Sequence, residues 1–126
     1  MWVKGTITVS GDRDNSVDVV KAFFTTSSRW KHGALSEVGH TFSKRRRGWV
    51  ATGGVERFEV EVRPSDQGLV ALEVMSQSGP LYDWGQNKKH IREFVRFLEA
   101  SGMKVAVGPM TATHRVWREG LGGSGV

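Results

Sequence analysis

Cysteine is absent from the chain, so neither a disulfide nor a thiolate-bound metal can form, and a reducing compartment suits it. No apolar run approaches the roughly 20 residues that a bilayer-spanning helix needs, and the opening MWVKGTITVSG lacks the apolar core of a secretory leader. A soluble cytoplasmic protein with no membrane partner is expected. Catalytic signatures of the GxSxG, HExxH and Walker type are missing. His32, His40, His90 and His114 are scattered without an i, i+4 pair, which leaves a zinc site unsupported. Gly120, Gly122 and Gly125 do satisfy GxGxxG, but that pattern works between a strand and the helix that holds a pyrophosphate, and only Val126 follows. That match is accidental. The expectation is no cofactor, no metal and no catalytic residue.

What is present is an ordinary globular composition. The 126 residues are 38% hydrophobic and 25% charged, enough to fold as one domain without cross-links. A single α+β domain is expected over residues 1–118, with a flexible glycine-rich tail over 119–126. Neither a repeat nor a linker interrupts it.

Val3, Ile7 and Val9 alternate with Lys4, Thr6 and Thr8, a period of two that predicts a half-buried strand. GDRDNS then offers N-caps, and Val17, Val20 and Phe24 form the apolar stripe of a helix over about 15–27. Val38, His40 and Phe42 share a strand face, with His40 a core candidate and Trp49–Thr52 as partner strand, which places KRRRG at a hairpin tip. Residues 55–63 and 69–76 predict a hairpin across PSDQG. Pairing Arg63 with Leu69 sets Phe58 against Val74, Val60 against Leu72 and Val62 against Val70, with Glu59 opposite Glu73 on the other face. A second helix starts at the Asp83/Gln86 capping box, buries Ile91, Phe94, Val95 and Leu98, and stops at Gly102. Short strands over 104–107 and 111–118 complete the count, separated by a break at Gly108-Pro109. Turns this short favour an antiparallel sheet of five to seven strands with two helices packed on one face.

Charge is distributed unevenly. Residues 29–47 hold six basic side chains against Glu37 alone and so carry the net charge of +5, while the other twelve basic and twelve acidic residues cancel. The leading functional expectation is a non-enzymatic module that meets nucleic acid mainly through phosphates. Arg45, Arg46 and Arg47 would grip the backbone, Arg29, Lys31 and Lys44 would add charge, and Trp30 or Trp49 would stack on a base. Lys88, Arg92 and Arg96 recur every four residues and form a secondary basic face, although Glu93 and Glu99 could pair with Lys89 and Arg96 to make it a plain solvated surface.

Two alternatives compete. In one, the basic segment docks an acidic protein surface, and edge strands near the start of the chain and around Val116 and Trp117 build a homo-oligomer. In the other, a cavity between sheet and helices, lined by Glu73, His40 or Asp83, takes a small ligand or substrate.

Overall fold

The computed structural model describes residues 2–47, 55–64, 67–78, 84–112 and 116–117. Strands β1 (Trp2–Ser10), β2 (Ser36–Val38), β3 (Thr41–Arg47), β4 (Val55–Arg63), β5 (Leu69–Gln77), β6 (Val105–Ala112) and β7 (Val116–Trp117) form one antiparallel sheet. Its order is β2-β3-β4-β5-β1-β6-β7. Helices α1 (Arg13–Thr26) and α2 (Trp84–Ala100) both pack on one side of it, α1 against β3 and β4, α2 against β5, β1 and β6. The α+β class and the one-sided placement of the helices agree with the sequence patterns.

Helix α1 starts two residues before the expected position because Asp12 is its N-cap: the carboxylate accepts from the Asn15 N–H at 2.7 Å. Val20, Phe23 and Phe24 face the sheet. Ile91, Phe94, Val95 and Leu98 are the buried stripe of α2, as their spacing requires. That helix ends in a paired turn in which the N–H of Gly102 bonds the carbonyl of Glu99 and the N–H of Met103 bonds that of Leu98. Gly102 takes φ +88, which a residue with a Cβ resists. Between the layers Phe23, Phe24, Phe58 and Phe94 contact one another edge to face or tilted, with centroids 5.0 to 6.0 Å apart.

Several local expectations are corrected. Strand β1 is central, between β5 and β6, rather than an edge. The β4–β5 hairpin keeps the expected faces but slips by two residues, so that Val60 faces Val74, Val62 faces Leu72, Phe58 faces Ser76 and Arg63 faces Ala71. Hydrophobic alternation forbids a one-residue slip and is indifferent to a two-residue one. On its other edge β5 extends further, to Leu69: Val9 and Ser10 take Val70 and Leu69, and the Gly11 N–H bonds the Gly68 carbonyl at 2.8 Å. His40 lies exposed in the β2–β3 turn, not in the core. The expected strand at Trp49–Thr52, the Asp83 cap and the 119–126 tail fall outside the described residues.

Gly108-Pro109 does not end a strand. Strand β6 runs through it, and the register against β1 shifts between Gly5, which faces Met110, and Ile7, which faces Val107. One extra residue on β6 is thereby absorbed as a bulge, where a proline without an N–H costs no ladder bond. Close approach makes glycine necessary here. A Cβ on Gly108 would stand 2.9 Å from the Thr6 carbonyl oxygen. Gly108→Ala is expected to lower the unfolding free energy by about 1–3 kcal/mol, read as a lower denaturant midpoint at unchanged slope.

Candidate functional site

The two basic stretches of the sequence meet, but half of their charge faces inward. Lys44 to Arg47 lie within β3 rather than at a hairpin tip, and strand alternation gives Lys44 and Arg46 the parity of buried Phe42. Lys44 is only 3% exposed. Its ammonium donates to the carbonyl of Phe24 at 2.6 Å, in the last turn of α1, and to that of Trp30 at 2.8 Å. The helix end thus receives a cation where its carbonyls lack donors. Burial pushes the Lys44 pKa below its ordinary value.

Arg46 turns toward buried Glu56, its register partner on β4, in an ion pair of 3.0 Å whose geometry is not that of a hydrogen bond. It also donates to the Arg29 carbonyl at 3.3 Å. Arg29 grips Glu93 of α2 with two donors, at 3.0 and 3.2 Å. This corrects the expected Glu93–Lys89 pairing. Trp30, a stacking candidate in the sequence, is fully buried against Phe58 and stands edge-on to the His90 ring at 5.3 Å. Trp49 lies outside the described residues.

A buried polar cluster, which sequence reading missed, adjoins these pairs. Ser76 Oγ lies 2.8 Å from both Asn87 Oδ1 and His90 Nδ1, and Ser78 Oγ donates to the same Asn87 oxygen at 3.0 Å. If Ser76 donates to Asn87, then His90 Nδ1–H donates to Ser76, and His90 Nε2 is left to accept from Gln86 Nε2 at 3.2 Å. That is a neutral imidazole. Desolvation first, then the positive charges of Arg29, Arg46 and Lys89, push the His90 pKa down to about 3. Glu56 Oε1 stands 3.7 Å from Nε2 without reversing that balance. The signal was available: Glu56 has the parity of Phe58, Val60 and Val62, and His90 falls on the apolar stripe of α2.

The side of the sheet away from the helices carries the remaining charge. Register places Arg45 opposite Arg57, Arg57 opposite Gln77 and Gln77 opposite Trp2, one transverse row over β3, β4, β5 and β1. All four residues alternate with inward-facing neighbours. Beside Arg45 and Arg57 an open hollow of about 390 Å³ is lined by Ala34, Ser36, Ser43 and Lys44 as well. Arg57 pairs with Glu59 at 2.8 Å, whereas no carboxylate among the described residues pairs with Lys31, Arg45 or Arg47. Gly33 lies against the Arg45 carbonyl, 3.7 Å from where its Cβ would be, so the loop bearing exposed Lys31 borders the same edge.

Further along the strands the face turns acidic. Glu61 sits opposite Glu73, and Glu59 opposite Met75, in a second hollow of about 490 Å³ that Lys4 and Arg63 share. Arg63 pairs with Glu61 at 3.2 Å and Thr6 donates to Glu73 at 2.8 Å. Among the described residues no group of His, Asp or Glu could hold a metal ion. These two hollows do not lie between sheet and helices, and Glu73 and exposed His40 do not converge on a common site. Lys88, Arg92 and Arg96 stand on α2, on the helix side, and do not join the transverse row.

Two predictions concern the buried titratable groups. Lys44→Met leaves the Phe24 and Trp30 carbonyls without a donor and is expected to cost about 2–4 kcal/mol of stability, measured by chemical denaturation. Below pH 6.5 the unfolded chain protonates His90 while the folded chain does not until about 3, so the unfolded state binds the extra proton. Stability should therefore fall by about 1.4 kcal/mol per pH unit from this group as pH drops through that window. His90→Gln should flatten the dependence in denaturation curves taken from pH 7 to 4.

Comparison with protein-family models, with characterised proteins and with solved structures finds no match for this chain.

Proposed function

We propose that the protein is a small non-enzymatic nucleic-acid-binding module that grips phosphates on the β2–β3–β4 end of its open sheet face. Arg45 and Arg57 are the central pair, with Arg47 and Lys31 adding charge around them. The supporting observation is that Arg45 and Arg57 are direct cross-strand partners beside a hollow that also offers the Ser36 and Ser43 hydroxyls. Like charges directly opposite destabilise a strand pair, and Glu59 compensates Arg57 alone. A phosphate between the two guanidinium groups relieves that repulsion and takes the planar two-donor contacts for which arginine is suited. Hydroxyl donors complete a contact that reads backbone rather than sequence. Lys44, Arg46, Arg29 and Trp30 act in this reading as the frame that holds the surface in place.

A second reading, docking of an acidic protein or self-assembly through an edge, draws on β2, an edge strand on which Val38 is 73% exposed. With three residues, that strand offers little ladder for pairing. Sedimentation distinguishes it: a monodisperse oligomer without nucleic-acid affinity favours assembly.

Filter binding to oligonucleotides across a salt series tests the first reading. The expected slope of log K against log salt is about −0.7 to −0.9 for each phosphate neutralised, and Arg45→Ala should reduce its magnitude by about one contact. Arg96→Ala should leave it unchanged. Salt-independent binding, or an Arg45→Ala, Arg47→Ala variant that binds as the wild type does, removes the proposal.

A further inference from the structure

We infer that the nucleic acid bound by this face is single-stranded and lies across the strands, along the row Arg45, Arg57, Gln77 and Trp2. The inference rests on the phosphate-binding reading above and adds to it a conformation of the ligand, a direction and a stacking residue.

Register alone aligns the four side chains. Each belongs to a neighbouring strand, and three inter-strand steps separate Arg45 from Trp2, a span of about 14 Å. The row changes character along its length: two guanidinium groups, then the exposed amide of Gln77, then an indole. That sequence of chemistries matches a strand whose phosphates sit at one end and whose unstacked base reaches the other. Gln77 offers both a donor and an acceptor to a base edge. The indole offers a π-face, which every base can use.

The Lys4 ammonium, two residues along on the same face, lies 4.5 Å from the Trp2 ring centroid. It stands over one face of the indole and adds a cation to the end of the row farthest from Arg45. The carboxylates two rows along, Glu61 and Glu73, stand about 13 Å from the row and repel a backbone that strays toward them. A phosphate chain is thus attracted to one line on the face and discouraged from the middle of it.

Duplex fits the row poorly. Among the described residues neither a helix nor a two-stranded ribbon projects from the open face, the two devices that enter a major groove. Bases in a duplex are also stacked on one another and cannot lie on an indole. A row of about 14 Å with one indole instead suits a short single-stranded run with an unstacked base. The helical basic stripe of Lys88, Arg92 and Arg96 is on the other side of the sheet.

The experiment compares a short oligothymidylate with a duplex of the same length, at one low salt concentration, on the full chain and on Trp2→Ala, Trp2→Phe, Arg45→Ala and Arg92→Ala variants whose circular dichroism is native. Expected results are tighter binding of the single strand, a loss of about 5- to 100-fold on Trp2→Ala, and retention within a few-fold on Trp2→Phe. Quenching of intrinsic fluorescence on binding should shrink in both Trp2 variants. Arg45→Ala weakens any ligand whose phosphates sit on the open face, whatever its conformation, which separates the two levels of the reading. If Arg45→Ala weakens binding while Trp2→Ala binds the single strand as the wild type does, the transverse row is wrong and phosphate binding stands. A duplex bound as tightly as the single strand overturns the inference, and duplex affinity lost in Arg92→Ala overturns it by moving the site to the helix side. Absence of binding to either ligand removes both.

Discussion

A single buried ammonium joins the elements from which the rest of this molecule is arranged. Lys44 leaves β3, enters the space under α1 and bonds two carbonyls, one at the helix end and one in the loop after it. Neither carbonyl has a strand or helix donor to turn to, so the lysine fastens the last turn of α1, the loop carrying Trp30, and the sheet at one point. Taking a charge out of water is costly, and the depressed pKa of the group is the sign of that cost. What offsets it is helix-end electrostatics and two short bonds that no neutral side chain of the same length would make. Arg29–Glu93 and Arg46–Glu56 extend the same seam to α2 and β4.

The division of labour within the basic segment follows from strand geometry. A run of four cations in a loop would all face water, but a run of four in a strand sends alternate members to opposite sides. Residues 44 and 46 became internal frame, while 45 and 47 became surface. The outward face keeps the charge that the inward face does not consume. The same alternation on β4 supplies Glu56 inward to meet Arg46 and Arg57 outward to stand beside Arg45.

Much of this was legible in the sequence, and the limits have physical causes. Apolar stripes located both helices, since their burial is set by a local period, and the Gly102 stop followed from φ +88 at that position. Strand faces were legible for the same reason. Register was not, because a shift of two residues preserves every face. Strand order has no local signature either: the Thr-rich face of β1 suits an edge as well as its place between β5 and β6. The basic run has no legible face, because KRRR holds no apolar residue to mark a period and only the continuation of the strand from Phe42 gives Lys44 and Arg46 their inward parity. Trp30 is hidden for a related reason: its basic neighbours mark a surface, while its burial comes from Phe58 and His90, distant in the chain.

The mixed burial of KRRR bears on how such segments are usually interrogated. Replacing all four cations with alanine at once would remove two groups that hold helix to sheet together with two that face outward, and lost affinity in such a variant would report unfolding as much as contact. Residues 45 and 47 can be neutralised alone because their neighbours in the chain point the other way. In this protein the informative unit of mutagenesis is therefore every second residue, and a contiguous block merges questions that the backbone keeps apart.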